Sequence, residues 1–222
     1  MARPAGAFVR KPMKRCTILL DGTVTATPRL KQQLAGSACI AADGGIRHAA
    51  ALGLRPQLWL GDFDSAEPAL QEQFRAVPRQ SFPPDKDKTD GALAVEAALR
   101  QGAEELVLCG AFGGKRLDHS LLHITLAIAL ARKNIKTLLT DGINEGYPLL
   151  AGEQRFELPP GSLFSLVAFS PLTGLTIRGA RWNLANQAVE AGSSHTLSNE
   201  SCGIVHISLQ TGYGILLAQL NL

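Results

Sequence analysis

Along the first 140 residues, short apolar runs alternate with longer segments of helical texture. Cys16–Leu20, Ala38–Ala42, Leu58–Leu60, Leu106–Cys109 and Thr137–Leu139 are apolar almost throughout. Each is flanked by Gly, Asp or Pro, as expected of strands buried on both faces. Between them, Ile46–Leu52, Pro68–Phe74, Asp90–Arg100 and Leu117–Arg132 are predicted helices. Ala92, Val95 and Leu99 place an apolar stripe along the third. The fourth is apolar nearly all round, which predicts a buried helix. Strand–helix alternation of this kind predicts an α/β layer structure with a mainly parallel sheet.

After Asn144 the helical pattern stops. Short apolar runs follow at Phe156–Leu158, Leu163–Ala168, Leu175–Ile177, Val205–Leu209 and Ile215–Leu220. Turn signals such as Pro159-Pro160-Gly161 and Ser170-Pro171 separate them, the texture of a small antiparallel β-sandwich. The expected organisation is a basic, disordered extension over 1–14, an α/β domain over 15–143 and a smaller all-β sandwich domain over 144–222. The switch falls within residues 141–147.

Composition adds limits. A chain of 222 residues, 45% hydrophobic and 18% charged, suits a soluble globular protein. Its net charge of +3 is carried by Arg3, Arg10 and Lys11 in an acid-free amino-terminal tail. The remainder is neutral, so no global field draws in a nucleic acid. The tail lacks the apolar stretch of a secretory signal, and no later run is long enough to span a membrane. Met13, just before the first strand, is a candidate natural start. Cys16, Cys39, Cys109 and Cys202 are scattered without a C-x-x-C pair, which suits free thiols in a reducing cytoplasm rather than a zinc site.

Polar clusters fall where the parallel strands end, which is where open α/β sheets bind ligands. Asp43-Gly44-Gly45 follows the second strand, and Gly61-Asp62-Phe63-Asp64-Ser65 follows the third. Gly113-Gly114-Lys115-Arg116-Leu117-Asp118-His119 lies beyond the fourth, and Asp85-Lys86-Asp87-Lys88-Thr89-Asp90 leads into a helix. Asp62 and Asp64, two apart, share one side of an extended segment and repel each other unless a cation intervenes. Mg²⁺ suits such oxygen ligands; a solvated turn is the alternative. The glycine pairs are either phosphate cradles at helix starts or tight strand-to-helix turns. Thr89 also reads as a helix N-cap. Aspartates mixed with Lys86, Lys88 and Arg116 are the recurring parts of phosphoryl-transfer sites.

Taken together these clusters resemble the thiamine pyrophosphokinase family. The resemblance rests on Ala42-Asp43-Gly44-Gly45, Gly61-Asp62-Phe63-Asp64-Ser65, Lys88-Thr89-Asp90 and Gly113-Gly114 with Arg116-Leu117-Asp118-His119. It continues through Gly179, Trp182-Asn183-Leu184 and Leu197-Ser198-Asn199-Glu200, covering roughly residues 16–220 in order. It implies transfer of a diphosphoryl group from ATP to the hydroxyl of thiamine, in a cytoplasmic homodimer that binds thiamine near the subunit interface. It also implies that Asp43, Asp62, Asp64, Asp90 and Asp118 form the Mg²⁺–ATP site, with Asp62, Asp64 and Asp90 on the metal. Gly44, Gly45, Lys88, Thr89, Arg116 and His119 would serve ATP, and Trp182, Ser198 and Asn199 would hold thiamine. An indole face suits the fixed thiazolium charge, whereas a lone Trp is otherwise a core residue; Trp59, inside an apolar run, is read as core.

Two positions depart from the family pattern. Lys115 is inserted before Arg116, and Gly91 stands where a larger apolar residue is usual. His119 is assigned to orienting its loop or Asp118, with a general base as the alternative, and His48, His123, His195 and His206 receive no role. The rival readings are a diphosphokinase acting on a hydroxymethylpterin and a non-catalytic nucleotide or thiamine sensor. The first lacks a use for the Trp182 region, and the second has no reason to crowd carboxylates around a polyphosphate.

Overall fold

The computed structural model describes residues 14–63, 68–82, 87–114 and 116–222. The parallel strands are β1 (Arg15–Leu19), β2 (Ala38–Ala42), β3 (Leu58–Gly61), β4 (Arg79–Ser81), β5 (Glu105–Cys109) and β6 (Lys136–Thr140). Their spatial order is β6-β5-β1-β2-β3-β4, all in parallel register. The chain therefore leaves β1 toward one edge and returns to its other side at β5. Such a reversal of strand order marks the crevice where α/β sheets take ligands.

Helices α1 (Pro28–Leu34), α2 (Ala49–Leu52), α3 (Pro68–Gln73), α4 (Asp90–Arg100) and α5 (Leu117–Ala131) connect these strands. A 3₁₀ turn, Asp43–His48, leads into α2. One core joins α4 and α5 to the sheet through Ile18, Leu60, Ala94, Ala98, Leu108 and Ala127. A second, with Leu19, Leu30, Leu34, Ile46 and Trp59, fills the opposite face. Trp59 is fully buried. Helix α5 departs from the all-round burial its sequence predicts. Ala127, Ile128 and Leu130 are buried, but Leu117 is 85% exposed and Leu121 and Leu122 are also exposed. Only the carboxyl-terminal half of α5 lies on the sheet; Arg116, His119 and His123 at its start face the strand ends instead.

The antiparallel portion begins with β7 (Asn144–Glu157), which pairs with β6 through Leu139 and Thr140. It continues with β8 (Leu163–Ala168), β9 (Leu172–Ala180), β10 (Leu184–Val189) and β11 (Asn199–Gln219). The two long strands β7 and β11 pair along their length with a register shift between Leu209 and Tyr213. Strand β11 pairs with β8 at Asn199 and Glu200 and again from Gly214 to Gln219, and with β9 between Ser201 and Thr211. The two layers enclose a separate core that includes Leu149, Phe164, Leu175, Val205 and Leu216. Parallel and antiparallel strands thus form one continuous sheet.

A buried ionic cluster ties α1 to β7. Glu145, whose side chain is 1% exposed, receives both prongs of Arg29 at 2.8 and 2.9 Å, Gln33 Nε2 at 2.6 Å and the Tyr147 hydroxyl at 2.5 Å. Thr27 caps α1 by accepting from Leu30 N and donates to the Gly142 carbonyl. Removing one member of a buried pair strands its partner's charge, which costs more than the pair contributes. Arg29→Ala should destabilise the protein by about 3 kcal/mol in urea unfolding. Arg75→Ala, which breaks the exposed Arg75–Glu72 pair, should change it by no more than about 0.5 kcal/mol.

Candidate active site

Glycines at the ends of β1 and β5 allow two loops to touch backbone to backbone. Leu20 N donates to Cys109 O at 2.7 Å, Gly22 N to Gly110 O at 3.1 Å and Thr23 N to Phe112 O at 3.1 Å. A Cβ on Gly22 would collide with the Gly110 and Phe112 carbonyls, so no larger residue fits there. Gly113 and Gly114 both have positive φ and pack on Thr23 and Gly22, making the turn from β5 toward α5.

Above this junction lies an open cleft of about 810 Å³. Its walls come from Asp21 and Gly22 after β1, Asp43 and Arg47 after β2, and Asp62 after β3. Asp87, Lys88, Thr89 and Asp90 form a further side, and Gly113, Gly114, Arg116, His119, Ser120 and His123 complete it. The structure therefore brings Asp43, Asp62, Lys88, Thr89, Asp90, Arg116 and His119 together. Gly44 and Gly45 are not on the cleft wall. A Cβ on Gly45 would strike Leu19 O, so this glycine lets the 3₁₀ turn pack against β1. Asp64, Ser65, Asp85, Lys86 and Lys115 lie outside the described residues.

Local structure explains several placements. Asp43 has φ +42°, a left-handed conformation unusual for a side-chain-bearing residue. Its carbonyl accepts from the Trp59 indole N–H at 2.9 Å, which helps fix the carboxylate at the strand end. Trp59 in turn packs edge-on against Phe63, with the Arg79 guanidinium over both rings. Thr89 Oγ1 accepts from Ala92 N at 3.2 Å and caps α4. Gly91 has a packing reason: a Cβ there would lie 2.8 Å from Leu20 Cδ2.

Charges on the wall are mixed but unequal. Among the described lining residues there are five carboxylates and three permanent cations. Lys88 Nζ donates to Glu96 at 2.6 Å. Arg116 is forked onto Asp118 at 2.9 and 2.5 Å, and this hydrogen-bonded pairing holds the Asp118 carboxyl down at about 2. Asp118 is not on the wall; it orients Arg116. Arg47 pairs with Asp21. His123, to which the sequence assigns no role, lies on the wall with Nδ1 3.0 Å from Ala111 O, and burial lowers its pKa. A carbonyl accepts only, so Nδ1 carries the proton and Nε2 is the ring's acceptor.

The donor set fits a hard cation. Asp43, Asp62 and Asp90 offer only oxygen, and Mg²⁺ commonly takes one or two carboxylates and completes its shell with water and phosphate. No group of three metal-ligating side chains converges by itself among the described residues. Buried Cys16 and Cys109 are pushed by desolvation to about 12, so these thiols stay neutral. Cys202 is exposed.

Trp182, Ser198 and Asn199 form a second cluster that does not line the cleft. Asn199 is buried, and its amide is engaged with the Trp182 backbone: Oδ1 accepts from Trp182 N at 3.1 Å and Nδ2 donates to Trp182 O at 2.7 Å. Ser198 has φ +58°, and its N–H donates to Ser165 Oγ. The Trp182 ring is 53% exposed, with the Arg181 guanidinium 4.7 Å from its centroid and paired to Glu200. Asn199 holds Trp182 in place, a task its sequence position does not reveal. Asp21, Arg47, Ser120 and His123 are polar wall residues that sequence reasoning overlooked; the strand-end rule that found Asp43 points equally to Asp21.

The chain is similar to known proteins in sequence and in fold. A family model for the thiamin pyrophosphokinase catalytic domain matches residues 31–139, and one for the vitamin B1 binding domain of the same enzyme matches 153–214. Thiamine pyrophosphokinase of Bacillus subtilis is 32% identical over 152 residues, 67% of this chain and 71% of that protein. A crystal structure of the Bacillus subtilis enzyme superposes with a TM-score of 0.83 at 27% identity, covering 94% of this chain and all of the other. Thiamin pyrophosphokinase from Candida albicans gives 0.76 at 12% identity, over 95% and 92% of the two chains, a likeness of fold alone. With both segments matched and the fold shared, the chain belongs to the thiamine pyrophosphokinase family of transferases.

Proposed function

We propose that the protein transfers the diphosphoryl group of ATP to the hydroxyl of thiamine, giving thiamine diphosphate and AMP, and that it needs Mg²⁺ to do so. The observation that carries this reading is the acidic surplus among the described residues of the cleft at the β1/β5 junction. A wall with more carboxylates than cations repels a bare polyphosphate and accepts one that arrives with divalent cations. Asp43, Asp62 and Asp90, with Asp64, would hold the metal. Bound there, Mg²⁺ would neutralise phosphate charge and orient the chain of phosphates.

The remaining work falls to the protein. The thiamine oxygen attacks the β-phosphorus, the bond between that phosphorus and the oxygen bridging to the α-phosphorus breaks, and AMP departs. The hydroxyl proton passes to a carboxylate, for which Asp90 and Asp62 are the candidates. Lys88, Arg116 and the Gly113-Gly114 amides contact phosphate oxygens, and His119 orients their loop. Most of the acceleration comes from alignment and charge neutralisation.

Trp182 supplies an aromatic face for the thiazolium ring, and Ser198 borders it. Because these residues do not line the cleft of their own chain, a homodimer that sets them beside a second copy's cleft accounts for the arrangement. The exposed Leu117, Leu121 and Leu122 on α5 and Leu163 and Leu197 near Trp182 offer apolar surface for that contact. No described helix is long and apolar enough to cross a membrane, and the buried free thiols suit a reducing cytoplasm.

Incubation with ATP, Mg²⁺ and thiamine should yield AMP and thiamine diphosphate in equal amounts; ADP and thiamine monophosphate, or no turnover, would overturn the reading. Chelation of divalent cations should stop the reaction and added Mg²⁺ restore it. Asp62→Asn should lower kcat by about 10²-fold or more with an unchanged unfolding midpoint. Trp182→Ala should raise the KM for thiamine by roughly tenfold, the loss of a desolvated cation–π contact, with the KM for ATP unaffected.

A further inference from the structure

Among the described residues, each cation on the cleft wall is held by a carboxylate, but the three pairs are not equivalent. Lys88 and Arg116 are paired with Glu96 and Asp118, neither of which is on the wall. Arg47 and Asp21 both line the cleft and are both substantially exposed, at 44% and 61%. Arg47 is also fixed independently of that carboxylate. Nη2 donates to Asp21 O at 2.6 Å and Gly22 O at 3.2 Å, and Nη1 to Gly44 O at 3.2 Å. The guanidinium therefore spans the loops after β1 and β2 and remains seated there without the side chain of Asp21.

We propose that Arg47 is a further phosphate-binding residue of the nucleotide site and that Asp21 is its internal stand-in, occupying the guanidinium until a phosphate oxygen displaces it. The proposal rests on the nucleotide reading above but not on the identity of the acceptor. An arginine held by backbone carbonyls is pre-oriented, and its fork suits phosphate as well as carboxylate. A phosphate oxygen entering the cleft adds negative charge beside Asp21, so the carboxylate must swing away; its exposure gives it solvent to move into. The wall then changes from a closed ion pair to an anion site only when nucleotide is present.

The two partners of this pair should respond to mutation in opposite directions. Binding of Mg²⁺–ATP without thiamine, followed by titration calorimetry on the whole protein, reads this directly. Arg47→Ala should weaken binding by roughly tenfold or more, the loss of a charge-assisted contact, and Arg47→Lys by less. Asp21→Asn should strengthen binding two- to fivefold by about the cost of displacing the carboxylate. Unfolding midpoints measured alongside identify any variant whose fold has failed. If both Arg47→Ala and Asp21→Asn weaken binding, the pair is a structural clamp or Asp21 a metal ligand, and the proposal is wrong. If neither alters binding, it is equally wrong. Because thiamine is absent from this titration, a failed product assay with intact nucleotide binding would refute the transfer reaction and leave the Arg47 assignment standing.

Discussion

The structure depends on how a parallel sheet closes around its first strand. The chain builds outward from β1 to β4 and then returns to β5 on the other side of β1, so two loops leave neighbouring strands in opposite directions. A seam opens between them. It is closed by direct backbone contact of Gly22 with Gly110 and of Thr23 with Phe112, which only residues without a Cβ permit at Gly22 and Gly110. Close contact at the floor of the seam leaves the space above it open, and the described wall residues reach that space from strand ends, the 3₁₀ turn, and the lead-ins and first two turns of α4 and α5.

Much of the parallel layer was legible because buried strands are short apolar runs with little else in them. Less regular elements left weaker traces. Helix α1 has only Leu30 and Leu34 as buried positions, too few to establish a period. Strand β4 is Arg79-Gln80-Ser81, an exposed edge with no apolar residue. The long β7 and β11 carry Gly152 and Gly212 near the point where their register shifts, so β11 reads in the sequence as two shorter runs and β7 shows only its end, Phe156–Leu158. Helix α5 shows the limit of composition as a guide to burial: three of its five leucines, Leu117, Leu121 and Leu122, are exposed.

The acidic side of the cleft was legible because Asp43, Asp62 and Asp90 each follow a strand or open a helix. Asp21 has the same placement but no motif around it, and its partner lies 26 residues away on another loop, so the pair exists only once β1 and β2 are side by side. Asn199 was legible as a polar residue near Trp182 but not as its support, because that depends on an amide reaching across to a backbone 17 residues distant. Sequence position identifies which groups are available; the fold decides which of them face each other.

The segment from Leu20 to Thr27 is tied at both ends. Leu20 is hydrogen-bonded to Cys109, Thr25 N to Asp141 O and Thr27 Oγ1 to Gly142 O, and beyond them Arg29 and Gln33 grip Glu145. A loop held this way has already surrendered most of its conformational freedom when the protein folds. Under the exchange proposed at Arg47, ligand binding reorients one side chain rather than ordering a segment, which lowers the entropic opposition to association. The buried carboxylate on β7, remote from the cleft, thus narrows the ensemble of a loop it never touches.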